Sequence, residues 1–71
     1  MLRISSSKIN DITADIAGKT INGIRYSKSG EPVGLMATFS SDAADEQLAM
    51  AGIKKYLKEK YPVLRIYVEV I

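Results

Sequence analysis

The sequence contains no cysteine, no histidine and no tryptophan. Without cysteine there are no disulfides and no thiolate nucleophile, and without cysteine and histidine the usual zinc sites are excluded. Histidine is also the commonest general base, so carboxylates, lysines and tyrosines would have to carry any acid–base chemistry. The serines stand where helix caps and turns need them. We therefore expect a protein that is not an enzyme and that binds no metal, cofactor or small-molecule ligand.

Long apolar runs are also absent. No stretch approaches the roughly 18 apolar residues of a membrane span, and the first residues lack the apolar segment of a secretory signal. The charge is nearly balanced, with ten Lys and Arg against eight Asp and Glu and a net charge of +2. So mild a balance does not by itself indicate a nucleic-acid partner. These observations predict a cytoplasmic protein that makes no contact with a membrane.

The length of 71 residues predicts one small domain, residues 1–71. At this size a core rarely supplies more than about 3–5 kcal/mol of stability, and small proteins commonly add disulfides, metals or oligomerisation. Because disulfides and the usual zinc sites are excluded here, close packing and self-association remain as the means of stabilisation.

The longest amphipathic segment is predicted to form a helix from Ser41 to Tyr61. Residues 40–42 offer suitable N-caps, and Pro62 disfavours helical backbone at the residue before it. Gly52 weakens the helix by about 1 kcal/mol relative to alanine, but a glycine could also let a strand approach the helix closely. The residues of one face recur at three- and four-residue steps: Ala49, Met50, Ile53, Tyr56, Leu57 and Lys60.

A second, shorter helix is predicted from Lys8 to Ala17. Ser6 or Ser7 could cap its start, and Gly18 is a natural C-terminal stop. Its apolar stripe is formed by Ile9, Ile12, Thr13 and Ile16, and the residues expected to face away are Asn10, Asp11, Ala14 and Asp15.

Four segments with alternating apolar residues are predicted to form strands. Their bounds are Leu2–Ser5, Thr20–Tyr26, Val33–Phe39 and Val63–Ile71, and Ser27–Pro32 forms a loop between the second and the third. We expect the long helix to pack on the resulting sheet through Met50, Ile53 and Leu57, against Phe39, Leu35, Ile66 and Val68.

The resulting order, β-α-β-β-α-β, predicts an α+β two-layer sandwich of the ferredoxin-like plan, with a four-stranded sheet and two helices on one face. An alternative follows from Asn22 and Gly23, because Asn-Gly is the strongest short signal for a hairpin turn. In that case residues 12–21 pair with residues 24–28, and the chain forms a β-meander plus one long helix and a C-terminal strand. Capping at Ser7 and Gly18 favours the helix.

The sheet face that the helices leave uncovered is the predicted interaction surface. Its candidate residues are Arg3, Ile21, Arg25, Met36, Arg65 and Tyr67. The apolar members are typical of a sheet-to-sheet contact, which predicts a protein-interaction or regulatory module that forms a homodimer. The alternative is a nucleic-acid-binding accessory protein, because all three arginines lie on this face with a tyrosine that could stack on a base.

Two sets of charged residues have more than one interpretation. The lysines near the end of the long helix, Lys54, Lys55, Lys58 and Lys60, form either a solvated helix face that complements the helix dipole or an alternative basic patch for phosphates. The carboxylates, Asp11 with Asp15 and Asp42 with Asp45 and Glu46, could hold a hard cation. Solvent exposure and complementarity with the helix dipole explain the carboxylates as well.

Overall fold

A computed structural model describes all residues, 1–71, and shows an α+β fold with one antiparallel sheet and two helices. The order along the chain is β1 (Leu2–Ser5), α1 (Ile9–Ile16), β2 (Thr20–Ile21), β3 (Ile24–Lys28), β4 (Met36–Ser41), α2 (Glu46–Lys60) and β5 (Tyr67–Val70). The sheet has five strands in the order β2-β3-β4-β1-β5, and each neighbouring pair is antiparallel. The predicted class is confirmed, but the predicted count of four strands is wrong.

The extra strand arises from the turn at Asn22 and Gly23. Both residues have positive φ angles, 51° and 79°, which is the conformation of a two-residue hairpin turn. Ile21 pairs with Ile24 across this turn, so the predicted strand from Thr20 to Tyr26 is divided into β2 and β3. The hairpin signal was therefore correct, but the meander is not formed, because Ile12 lies in α1 rather than in a strand.

The first helix has the predicted apolar face. Ile9, Ile12, Thr13 and Ile16 are all buried. No side chain caps the helix itself; instead the hydroxyl of Ser6 accepts a hydrogen bond of 3.2 Å from the amide of Lys8. Gly18 follows the helix with a φ of 75°, as expected for a C-terminal stop.

The predicted strand from Val33 to Phe39 is interrupted by a tight turn. Val33 and Met36 exchange backbone hydrogen bonds of 2.8 and 3.1 Å, and Gly34 between them has a φ of 61°. Leu35 therefore lies at the tip of a turn, where it is exposed, and the prediction that it packs against the long helix is wrong. The regular strand β4 begins only at Met36.

The long helix begins five residues later than predicted, at Glu46. Ser41 still belongs to β4, and the carboxylate of Asp42 accepts a hydrogen bond of 2.9 Å from the amide of Arg25 in β3. The N-cap is Asp45, whose side chain accepts from the amide of Gln47 at 2.9 Å. The predicted N-caps Ser40 and Ser41 therefore belong to strand β4, and Asp42 binds β3 instead of capping the helix.

The core lies on one side of the sheet. Alternation places Leu2 and Ile4 of β1, Ala37 and Phe39 of β4 and Tyr26 of β3 on this side, and all five are buried. The two helices cover the same side with the α1 stripe and with Ala49, Ile53 and Leu57 of α2. The opposite face carries no helix.

The last strand is shorter than predicted. A turn follows α2, in which the amide of Leu64 donates to the carbonyl of Tyr61 at 3.2 Å, and β5 begins only at Tyr67. Within it the predicted alternation is confirmed: Val68 and Val70 pack against the core, whereas Tyr67 is exposed. Neither helix has the length and apolar character needed to cross a membrane.

Candidate functional site

The uncovered face of the sheet is ordered in rows across the strands. One row contains Tyr67, Ser5 and Met36, because Ser5 pairs with both of the others. The next row contains Glu69, Arg3 and Thr38. Directly paired residues share a face and lie about 5 Å apart at their Cβ atoms. The predicted residues Arg3, Met36 and Tyr67 are therefore close to one another on this face.

The other three predicted members of this surface are not adjacent to these residues. Ile21 is only 6% exposed and belongs to the core, because Ile21 and its partner Ile24 both face the helix side of the sheet. The assignment of Ile21 to the open face is therefore wrong. Arg65 is exposed but precedes β5. Arg25 is exposed on β3, two strands from Arg3 and four residues further along, which is about 10 Å across and about 13 Å along the sheet. The arginines are not gathered into one cluster.

Arg3 already has an ionic partner. Its Nε atom donates to the carboxylate of Glu69 at 2.6 Å, and a guanidinium NH2 group contacts the same oxygen. The two residues are paired across β1 and β5. This neighbour neutralises the charge of Arg3, which removes one of the three cations that the nucleic-acid alternative requires.

Four exposed apolar side chains lie at one end of the open face, and we call them the Met36–Tyr67 patch. They are Val33, Leu35, Met36 and Tyr67, exposed by 75%, 59%, 44% and 65%. Val33 pairs with Met36 and so points to the same side, Leu35 lies in the turn between them, and Tyr67 lies beyond Ser5. The sequence pattern indicated Met36 and Tyr67, but Val33 and Leu35 join them only because the turn moves them out of the core.

A groove runs between the second half of α2 and the edge of the sheet at β5, and we call it the β5 groove. Its volume is about 400 Å³. The apolar part of the lining consists of Leu57, Tyr61, Pro62, Leu64, Ile66 and Val68, and the cationic part consists of Lys54, Lys55 and Lys58. Three of the four lysines of the predicted basic patch therefore lie at one site.

The fourth lysine, Lys60, belongs to a different cluster. Its ammonium group lies 2.8 Å from the carboxylate of Asp15, which also accepts hydrogen bonds from Lys19 at 3.0 Å and from the hydroxyls of Tyr56 and Tyr61 at 3.2 and 3.4 Å. The Asp15 side chain is only 12% exposed, so the prediction that it faces away from the core is wrong. This cluster, the Asp15 cluster, joins the ends of α1 and α2.

The electrostatics of the Asp15 cluster are those of a satisfied ion pair. Partial burial opposes the charge of Asp15, but the hydrogen bonds from Lys60 and Lys19 outweigh burial and lower the pKa of its carboxyl. The hydrogen bond to Asp15, with a second to Tyr56, raises the pKa of Lys60 to about 12. None of the described grooves and depressions is lined by Asp15. The arrangement therefore links the ends of α1 and α2 through an ion pair.

Each of the carboxylates near the start of α2 makes a different contact within the chain. Asp42 binds the amide of Arg25, Asp45 caps the helix, and Glu46 forms an ion pair with the amino group of Met1. No three carboxylates converge in the arrangement of a metal site.

The chain was compared with protein-family models, with curated proteins and with solved structures, and none of the three comparisons finds a match. The surfaces described above are therefore the basis for any functional conclusion.

Proposed function

We propose that this chain is a non-enzymatic binding or regulatory module that acts through protein–protein contact and associates with a second copy of itself through the open sheet face. The observation that carries the proposal is the Met36–Tyr67 patch. Four exposed apolar side chains gathered at one end of a sheet face that no helix covers are typical of a contact site rather than of a monomer's surface.

The surroundings of the patch support a contact between like surfaces. The adjacent row contains Arg3 and Glu69, whose charges neutralise each other within one chain. Two copies of this face could therefore pack against each other without bringing unpaired like charges together. Sheet faces pack about 10 Å apart through interdigitated side chains, and Met36 and Tyr67 are long enough to supply such contacts.

The architecture is compatible with this use. We propose that the fold is a ferredoxin-like plan to which the hairpin at Asn22 and Gly23 adds an edge strand. With β2 set aside, the remaining strands follow the order β3-β4-β1-β5, and each helix connects strands that are not neighbours in the sheet. This plan covers one face with helices and leaves the other for contact.

Sedimentation at tens of micromolar protein tests the proposal. We expect the native chain to sediment as a dimer and Met36→Glu to sediment as a monomer, because the substitution places a charge within the buried contact. Leu48→Glu is the matched control, since Leu48 is also an exposed apolar residue but lies on α2, and we expect it to leave the dimer intact. A native chain that is monomeric throughout this range would refute self-association.

A further inference from the structure

We propose that the β5 edge, together with the β5 groove, binds an extended acidic segment of a partner protein by strand addition. The β5 groove lies at the side of the sheet, toward the helices, and the surface as a whole shares only Tyr67 with the Met36–Tyr67 patch. A strand added here would extend the sheet as a sixth strand and would place alternate side chains into the groove.

The backbone of β5 presents hydrogen-bonding groups at the edge of the sheet. The amide of Ile71 donates to the carbonyl of Met1 at 2.9 Å, so these two residues form a hydrogen-bonded pair. In an antiparallel ladder such pairs alternate, which assigns the next ones to Glu69 with Arg3 and to Tyr67 with Ser5. The N–H and C=O groups of Val68 and Val70 consequently point away from β1, toward the free edge.

The β5 edge also lacks the features that prevent strand pairing. Sheet edges are commonly blunted by proline, by lysine, by a bulge or by a very short strand. The opposite edge strand, β2, has only two residues, whereas β5 has four, with the sequence Tyr-Val-Glu-Val and no proline or lysine. Its one charge, on Glu69, is engaged by Arg3. The longer edge is therefore the one left available for pairing.

The surface beside the β5 edge is both apolar and cationic. The β5 groove supplies apolar contacts next to Val68, and a second depression of about 440 Å³ shares Lys54, Ile66 and Val68 with it. This depression also reaches Tyr67 and Glu69, whose carboxylate is paired with Arg3. Lys54, Lys55 and Lys58 form no ion pair within the chain, and no carboxylate lines the β5 groove. An added strand with apolar side chains and flanking Asp or Glu residues would complement both properties.

The same lysines argue against a second copy of this chain as the occupant. Two copies joined by their β5 edges about a two-fold axis would bring the end of one α2 helix beside the other. Lys54, Lys55 and Lys58 of one copy would then face the same lysines of its partner, and like charges at an interface disfavour binding. Charge complementarity therefore selects an acidic segment over self-pairing at this edge.

The experiment uses the full chain and a fluorescein-labelled synthetic peptide of eight residues, with alternating valine and threonine in the centre and two glutamates at each end. We expect micromolar binding by fluorescence anisotropy. A peptide with proline at its centre should bind at least about tenfold more weakly, because it loses a backbone donor. A peptide with lysine in place of glutamate should also lose affinity.

Matched protein variants separate the edge from the charges. Val68→Pro removes an outward N–H without removing a bond to β1 and should abolish binding, whereas Val68→Thr keeps the N–H and should weaken binding much less than Val68→Pro does. Lys58→Glu should weaken binding at least about tenfold. Lys8→Glu makes the same charge change at an exposed position on α1's N-cap and should change the affinity less than about twofold. Circular dichroism verifies that each variant is folded.

Hydrogen exchange gives the direct readout. Saturation with the acidic peptide should slow amide exchange at Val68 and Val70, the two residues whose N–H groups point outward. Absence of binding at millimolar peptide, equal binding of the lysine peptide, or binding unaffected by Val68→Pro and by proline in the peptide would each overturn the proposal. So would tighter, Lys58-dependent binding of a single-stranded oligonucleotide. The Met36→Glu variant should bind the peptide with the affinity of the native chain, because Met36 lines neither the β5 groove nor the second depression. The peptide test therefore does not depend on whether the chain self-associates.

Discussion

The hydroxyl of Tyr26 in β3 donates a hydrogen bond of 2.6 Å to the backbone carbonyl of Ala49 in α2. Tyr26 is completely buried, and burial, with a smaller effect from the charge of Asp42, raises the pKa of its phenol, which stays protonated as a donor. The Cβ atom of an alanine at position 52 would lie 3.2 Å from this hydroxyl oxygen. Gly52 thus leaves room for a strand side chain to reach the helix backbone.

This relationship predicts that the effect of Gly52→Ala depends on Tyr26. In the native chain we expect the substitution to lower the melting temperature, because the buried hydroxyl cannot move away without lengthening its hydrogen bond. In a Tyr26→Phe background the oxygen is absent, and alanine should stabilise the helix by about 1 kcal/mol, or about 4–8 °C. Thermal unfolding of the four proteins in this double-mutant cycle measures the coupling. Equal effects of Gly52→Ala in both backgrounds would show that the close approach has no energetic consequence.

Thr13→Val should stabilise the protein. The hydroxyl of Thr13 is buried in the apolar stripe of α1 and has no hydrogen-bond partner, and such a group typically costs about 1–3 kcal/mol. Valine has nearly the same shape and is also β-branched, so it fills the same space without the unpaired oxygen. Urea unfolding should show a gain near 1 kcal/mol, whereas the exposed control Thr20→Val should change stability by less than about 0.5 kcal/mol. A loss of stability in Thr13→Val would indicate that the hydroxyl is paired.

The Asp15 cluster predicts how stability depends on pH. The pKa of Asp15 is lower in the folded protein than in the unfolded chain, so the folded state binds this proton less readily. Its stabilising contribution is therefore complete above the unfolded value of about 4 and is lost as the pH falls through the lowered folded pKa. For Lys60 the sign is opposite: its contribution is present below the unfolded pKa and is lost as the pH rises through about 12.

Melting temperatures of Asp15→Asn between about pH 2 and 7 test this expectation. The variant should be less stable than the native chain at neutral pH, and the difference should shrink as the pH falls. Asp11→Asn is the matched control, because Asp11 is exposed on the same helix and forms no ion pair. A difference between Asp15→Asn and the native chain that is constant over this pH range would contradict the prediction.

The nucleic-acid alternative predicts a weak and salt-dependent interaction. At most three arginines are available, they are dispersed, and Arg3 is neutralised by Glu69. Three phosphate contacts to a single strand correspond to a log–log salt slope of roughly −2. We therefore expect no sub-micromolar binding of a random single-stranded oligonucleotide at physiological salt in anisotropy measurements. Tight binding lost in Arg65→Ala would instead favour the nucleic-acid alternative.

Local spacing in the sequence determined the two helices, the strands β1 and β5 and most of the core. The stripe of α1 and the buried residues Ala49, Ile53 and Leu57 of α2 follow a helical period, and Val68 and Val70 follow the two-residue period of a strand. Such periods are properties of single elements, so the face that an element buries can be read before its partner is known.

The tertiary structure decided which distant residues meet and which surfaces stay open. Asp15 and Lys60 are 45 positions apart in the sequence. Asp15 was expected to be a surface acid and Lys60 a member of the basic patch, and only the tertiary fold brings the two together as an ion pair. The tight turn at Gly34 moved Leu35 from the core to the surface, and the hairpin at Gly23 moved Ile21 from the surface to the core. Strand order alone left the β5 edge unpaired beside three lysines. The physical reason is that turn dihedrals, hydrogen-bond register and long-range ion pairs depend on neighbours in space, which periodicity along the chain does not specify.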